Sequence, residues 1–558
     1  MSDQAVSGKP AQGRTEDEQR NASKADSDRN VVGQLLAAVA RLYPVPPACT
    51  RALIVAGVAL GGVGDVLLRG GGPPGLGLSL WVALVAIAAL MLHRRACVTP
   101  KRWREAWLLG GVVFAAGLVW RDAPPLKLLG LGCATLAFAL AAHRLDAAWV
   151  RRAGVLQYIG ALALGALHAW TAAVVALHEA ASSRLRVGRG GAPGPSTAAA
   201  VARGLLIAAP LVAVFGALLV SADPVFADLV TRVFDFDFEQ IAGHVLLFLV
   251  LAWLSTGYLR GYLTGTALPA LEGLWQEAGP SRSAAKRPVL GITEIATVLA
   301  ALDLLFLLFV VVQFRYLFGG DILVRNTPGL SYAEYARRGF FELVFAVVLV
   351  VPVLLAADWV LGRRHRRNDN VFGLLAGFQI ALVLAIAASA MERLRLYRAS
   401  YGLTESRFYA TVLLLWISAM LVWLAATVLR GRRDVFAFGM LASGLATVAV
   451  LFAINPDAIV ARTNLSRMAS TGAPGRFDVV YASRLSADAV PVLLRGLRSL
   501  PHEVQCPLAR HMLRRWSAER EFPLRSWNWS VARARKAVRD NQELLASLLG
   551  PGQDCTAP

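Results

Sequence analysis

The feature that most limits how this chain can fold is a series of uninterrupted apolar blocks, each about as long as a helix crossing a bilayer. Roughly 17–25 apolar residues in helical form span about 30 Å of hydrocarbon. Twelve such stretches can be marked: Ala52–Leu68, Leu76–Leu92, Ala106–Trp120, Leu128–Ala142, Val155–Leu177, Gly204–Val220, Ile241–Leu259, Ile295–Val312, Phe340–Leu361, Val371–Met391, Ala410–Leu429 and Val435–Ile454. The blocks lack the period-2 alternation of a membrane barrel, so the backbone must satisfy itself as helix. The expected fold is all-α, a polytopic helical membrane bundle of about eleven to thirteen spans. Composition agrees: 56% of the 558 residues are hydrophobic and 17% are charged, against about 25% charged in an average soluble domain.

Charge sets the expected orientation. The net charge of +20 does not point to nucleic acid, because most of the Arg residues flank apolar blocks, where they are retained on the cytoplasmic side. Arg94, Arg95, Lys101, Arg102 and Arg104 mark one inside loop, Arg363, Arg364, Arg366 and Arg367 a second, and Arg430, Arg432 and Arg433 a third. The connection Ser221–Gln240 carries Asp223, Asp228, Asp235, Asp237 and Glu239 against Arg232 alone, and is expected outside. Counting forward from a cytoplasmic N-terminus and backward from that loop gives opposite sides for Ser182–Arg203. The C-terminal half, whose basic loops are short, places Gln313–Gly339, Glu392–Arg407 and everything after Ile454 outside.

Three regions follow. Residues 1–45 read as a disordered cytoplasmic tail, too polar to offset the entropy of folding, and the opening thirty residues contain no apolar core of a secretory signal. Residues 46–455 form the multi-pass domain. Residues 456–558 form a small helical extramembrane C-terminal domain, with helices expected after a Ser486 cap carrying Asp488 in its first turn, over Pro507–Arg520 and over Val531–Leu549. Of the five cysteines (Cys49, Cys97, Cys133, Cys506, Cys555) none forms a CxxC. No Cys/His spacing suits zinc, and no metal or other cofactor is expected. If the last region is outside, Cys506 and Cys555 can pair.

Tyr, Arg and Glu concentrate in three clusters at block ends: QFRYLFGG (Gln313–Gly320), YAEYARRGFFEL (Tyr332–Leu343) and MERLRLYRASYGLTESRFY (Met391–Tyr409). Glu334, Arg338 and Glu342 recur at i, i+4, i+8, on one helix face; Glu392 and Arg395 are i, i+3. With Arg315, Tyr316, Tyr335, Tyr397, Tyr401 and Glu405 they form the candidate ligand-binding set. An unpaired charge at mid-bilayer costs about 2.5–3.5 kcal/mol or more, so these groups must pair or line a wet cavity. An interfacial ring of Tyr and Arg anchoring helix ends is the plain alternative. Asp303, near the middle of its block, is the most deeply placed acid and a candidate proton or cation carrier. His168 and His244 read as packed residues, and Gly57 with Gly61 offers a small-xxx-small face for close helix contact. No P-loop, dinucleotide fingerprint or nucleophile elbow is present, and no catalytic residue is assigned.

Five motifs in order, SADPVF (Ser221–Phe226), the FGG exit, YAEYARRGFFEL, RLRLYRASYGLTESRFY and NPDAIVARTNLSR (Asn455–Arg467), resemble the bacterial multi-pass membrane family catalogued as domain of unknown function 4173 and its close relative 4153. The resemblance covers roughly Pro210 to Ala489. It implies a bacterial inner-membrane protein and supplies no catalytic residues. Three functions stay open: handling of a small anionic solute or lipid headgroup by the outward cluster with Asp303 as a coupling acid; an envelope sensor or scaffold contacting a protein partner; and an outward-facing enzyme on a lipid-linked substrate, with Glu334, Glu342 and Glu392 as acid/base groups.

Overall fold

The computed structural model describes residues 45, 47–69, 72–95, 102–143, 147–187, 238–265, 291–318, 340–361, 366–471, 477–516 and 524–549, with scattered positions between 212 and 226. Among them the regular structure is helical throughout. The helices are α1 (Pro47–Leu68), α2 (Leu76–Arg95), α3 (Arg102–Trp120), α4 (Pro124–Ala142), α5 (Ala147–Arg152), α6 (Val155–Val187), α7 (Phe238–Thr264), α8 (Ile292–Phe318) and α9 (Phe340–Leu361). They continue as α10 (Arg366–Tyr401), α11 (Glu405–Thr427), α12 (Arg433–Ile454), α13 (Pro456–Thr471), α14 (Val479–Arg484), α15 (Val490–Gly496), α16 (His502–Trp516), α17 (Trp529–Asp540) and α18 (Gln542–Ser547).

Ten helices among the described residues are long and apolar enough to cross a membrane, namely α1, α2, α4 and α6 through α12. The chain is therefore a multi-pass membrane protein. The third expected block is helical as α3, but Arg102, Arg104 and Glu105 in its first turn lower its hydropathy. Arg104 is buried and donates from Nε to Ala141 O at 2.8 Å, tying α3 to α4. The sixth block, Gly204–Val220, lies outside the described residues except at scattered positions.

Local sequence sets the helix ends. Pro124 opens α4, where its missing N–H costs nothing. Thr404 caps α11 by accepting from Arg407 N. Asn455, at φ 59°, closes α12 in the left-handed region, and its side chain accepts from Ala458 N at 3.2 Å to open α13.

The chain divides into two compact units. The first holds residues 1–62, 88–99 and 165–269. Here Gly57 and Gly61 meet α7 as their spacing suggests: a Cβ at Gly61 would stand 2.6 Å from the Ala252 Cβ. Fully buried Arg260 pairs with Glu179 at 2.6 Å, and the buried His168 ring lies against Gly261.

The second unit holds residues 63–87, 100–164 and 270–558. Its apolar centre joins α8, α9, α10 and α11 through residues such as Leu299, Val347, Val383 and Leu421, with α10 packed against the other three. A second core gathers Val460, Leu485, Leu493, Leu508, Met512 and Val538, and Leu403 from the α10–α11 turn belongs to it. The helices after Asn455 thus sit on one end of this unit. Two earlier turns meet them there: Leu76 N donates to Trp527 O at 3.0 Å, and Asn528 Nδ2 donates to Leu118 O and Arg121 O, both at 2.8 Å.

The last helices begin elsewhere than their sequence suggests. Ser486 caps no helix; α15 starts at Val490 with Pro491 in its first turn, and the Ser486 side chain is committed to Asp457. Helix α16 starts at His502 and runs through Pro507. Asn528 caps α17 by accepting from Val531 N.

Candidate functional site

The site is built on a turn only glycine fits well. Gly402 follows the end of α10 at φ +79°, where an L side chain is strained. A Cβ there would lie 2.8 Å from Asn464 Oδ1 and 3.0 Å from Arg467 Nη1. The next residue is clasped by α13: Leu403 N donates to Asn464 Oδ1 and Asn464 Nδ2 donates to Leu403 O, both at 2.8 Å. Two guanidinium groups brace the carbonyls that end α10, where the helix dipole is negative. Arg407 Nη1 donates to Gly402 O and, at 3.4 Å, to Tyr401 O; Arg467 Nη1 donates to Arg398 O at 3.4 Å. The Arg407 guanidinium also stacks on the Tyr397 ring, 4.1 Å from its centroid.

Between this turn, α13 and α14 lies a cavity of about 170 Å³, lined by Tyr401, Thr404, Arg407, Asn464, Arg467, Asp478 and Tyr481 among others. Its charged walls are two guanidinium groups and one carboxylate, and that carboxylate, Asp478, is occupied as the α14 cap. Burial pushes the Tyr481 phenol up to about 12 against the opposing pull of its hydrogen bond with the Glu405 backbone. Tyr481 is therefore a neutral hydrogen-bonding group, and it accepts from Glu405 N at 2.6 Å.

Below the cavity a polar chain runs inward. Asp457, fully buried at the start of α13, accepts from Ser486 N at 3.1 Å and from Ser486 Oγ. The Glu405 carboxyl lies close enough to act on it. Burial first, then the contact with Glu405, pushes Asp457 up to about 8 against the opposing pull of Ser486. Beyond Ser486 lies Asp488, which accepts from Asp122 N at 2.6 Å, Ser530 Oγ at 2.6 Å and Arg121 Nη1 at 3.4 Å. Asp122 in turn pairs with Lys127 at 2.8 Å.

The pair makes stability depend on pH. A folded Asp457 holds its proton to about pH 8, whereas an unfolded Asp releases it near about 4. The stabilisation by the neutral acid is thus complete below about pH 4 and is lost as pH rises through about 8. Asp457→Asn mimics the neutral acid. It is expected to remove on the order of a few kcal/mol of this pH dependence, read as melting temperatures that fall less between pH 5 and 9 than in wild type.

The sequence candidates fall in several places. Arg315 and Tyr316 are on the last turns of α8, and Glu334, Tyr335 and Arg338 lie outside the described residues. Glu342 is exposed in the first turn of α9. Glu392 and Arg395 form a surface ion pair at 3.6 Å. Tyr397 and Tyr401 pack ring to ring, 5.1 Å between centroids, and Tyr401 lines the cavity. Glu405 opens α11 beside it. Asp303 is buried in mid α8. One link between the first and third clusters is direct: Gln313 Oε1 accepts from Arg393 Nη2 at 2.6 Å and from Ser389 Oγ at 3.3 Å.

The candidate set read from the sequence left out Arg407, which lies within the third cluster, Asn464, Arg467, Tyr481 and the acids Asp122, Asp457 and Asp488. A signal for part of this set existed: Asp457, Asn464 and Met468 recur at i, i+7, i+11, so one face of α13 carries Asp and Asn at core positions. Among the described residues, no group of three or more His, Cys, Asp or Glu could hold a metal ion.

A family model described as Domain of unknown function (DUF4153) matches residues 106–496. The chain belongs to this family. The match takes in α3 through α15, and with them the turn at Gly402, the α13 clasp and the Asp122–Asp488 contact. It reaches well upstream of Pro210, where the motif resemblance begins. No curated protein and no solved structure matches the chain.

Proposed function

We propose that this protein of the bacterial inner membrane binds a small anionic group, a free solute or a lipid headgroup, in the cavity at the α10–α11 turn, on the outer face of the bilayer. The observation that carries this reading is the pairing of Arg407 and Arg467 in the wall of one small cavity beside Tyr481 and Asn464. Guanidinium is the side chain best matched to carboxylate or phosphate oxygens, and phenol and amide donors suit the remaining lone pairs.

The outward assignment rests on charge. The turn with Arg430, Arg432 and Arg433 joins α11 to α12 at the end opposite the cavity, and basic turns are retained in the cytoplasm. Cys506, in the helices that cover the cavity end, is disulfide-bonded, which suits an oxidising compartment. The Cys555 pairing lies outside the described residues. Exposed Leu524 and Trp529 beside Arg525 suit contact with the bilayer interface, which favours the headgroup as the source of the anion.

The test is thermal unfolding of the purified full-length protein with added inorganic phosphate, or in bilayers of phosphatidylglycerol against phosphatidylcholine. A ligand at a hundred times its dissociation constant stabilises by about 2.7 kcal/mol. Stabilisation of wild type that is absent in Arg467→Gln supports the site, and the two arms separate free phosphate from headgroup. Equal stabilisation of wild type and Arg467→Gln would sink it.

A further inference from the structure

Helix α8 meets the bundle along a single stripe. Its buried and half-buried positions include Ile295, Leu299, Asp303, Phe306, Val310 and Gln313, while Leu304, Leu305, Leu308 and Val311 are exposed. The stripe packs mainly on α10. The bonds from Gln313 to Ser389 and Arg393 fix how the two helices align. Ten residues earlier on each chain stand Asp303 and, on the α10 stripe Gln379–Leu382–Ile386–Ser389–Arg393, Gln379. The helices run the same way, so this carboxyl and this amide share a level, about 15 Å along the axis from Gln313.

Both groups are buried, Asp303 at 4% exposure and Gln379 at 0%. Among the described residues, neither Asp303 carboxyl oxygen has a hydrogen-bond partner, and neither do Gln379 Oε1 and Nε2. A native interior rarely leaves four such atoms unsatisfied at one level. In hydrocarbon an isolated carboxylate is strongly disfavoured, whereas a neutral carboxyl can donate one hydrogen bond to an amide oxygen and accept one from its N–H. Among α8, α9 and α10, no other ionisable group lies at this level. Between Asn370 and Met391 α10 has none, α9 has none between Glu342 and Asp358, and α8 itself has none between Glu294 and Arg315 apart from Asp303.

We infer that Asp303 and Gln379 form a proton-binding site inside the membrane, on the seam between α8 and α10. The bound species is a proton on the Asp303 carboxyl; the Gln379 amide does not bond that carboxyl in this structure, and in the proton-bound site it turns to meet it. Releasing it leaves a carboxylate that requires water, so loss of the proton is tied to wetting or parting of the seam. The site is separate from the anion cavity and stands whether or not that cavity binds an anion.

Infrared difference spectra of the full-length protein in liposomes, recorded between acid and alkaline buffer, test this. Wild type should show a protonated-carboxyl carbonyl band at neutral pH that Asp303→Asn lacks, and Gln379→Leu should shift that band because its amide partner is gone. Gel filtration of both variants shows whether they remain folded, and Asp303→Glu, which keeps the acid, should retain a displaced band. Absence of any band assignable to Asp303 would overturn the proton site. A band unmoved by Gln379→Leu would overturn the pairing. A band removed at constant pH by replacing choline chloride with sodium chloride would overturn it in favour of a metal-cation site.

Discussion

Replacing Asp488 by Ala is expected to loosen the C-terminal helices from the rest of their unit. Asp488 is buried, at 5% exposure, and accepts from two backbone amides of the α3–α4 turn as well as from Ser530 and Arg121. Removing one partner of a buried charge pair costs about 3–5 kcal/mol because the other charge is left uncompensated. Arg121 is not wholly abandoned, since Nε and Nη2 still donate to Phe452 O at 2.7 Å and Ala453 O at 3.1 Å. The loss should therefore fall toward the lower end, with Asp488→Asn milder than Asp488→Ala because its amide oxygen still accepts. Limited proteolysis should show earlier cleavage after Asn455 in the Ala variant while the membrane helices stay protected. Unchanged cleavage would show that this contact does not hold the end of the unit together.

The second large effect is expected at Gly402. An Ala there must adopt φ +79°, at a cost of roughly 1–2 kcal/mol, and its Cβ would press on Asn464 and Arg467. If the turn shifts to relieve the clash, the Leu403 N–H and C=O lose the Asn464 clasp, at about 1–3 kcal/mol for each buried group left unsatisfied. Gly402→Ala should thus lose both stability and any phosphate response. Asn464→Leu should reproduce both losses without backbone strain, by leaving both Leu403 groups unpaired. A Gly402→Ala variant with wild-type melting temperature and phosphate response would mean that the turn does not shape the cavity.

How much of this was legible in the sequence depends on the range of the interaction. Hydrocarbon demands contiguous apolar residues, so ten of the twelve expected blocks coincide with described helices long and apolar enough to span, and Glu392–Arg395 was legible because i, i+3 is local. Of the clustered Tyr397, Tyr401 and Glu405, Tyr401 lines the cavity at the α10–α11 turn. The groups that shape the cavity could not be found that way. Asn464 and Arg467 meet the turn across about sixty residues of sequence, and Asp488 meets Asp122 across more than three hundred. A charge in an extramembrane loop reads as solvated until the fold supplies its partner. Ser486 shows the same limit: Ser-x-Asp before an apolar run has the pattern of a cap, yet the buried Asp457 carboxyl competes for the hydroxyl and takes it.

The central claim is that the polar clusters of α8, α9 and α10 and the face of α13 gather at one end of the bundle, on the outside of the membrane. Membrane-impermeant maleimide labelling in intact cells tests it, using cysteines introduced one at a time at Ser331, Ser400, Ser466 and Arg432 with Cys49, Cys97 and Cys133 replaced by Ala, and the same protein without an introduced cysteine as the blank. The account predicts that positions 331, 400 and 466 react in intact cells, whereas 432 reacts only after the membrane is permeabilised. Reaction at some of the first three but not the others, or at Arg432 in intact cells, would contradict it.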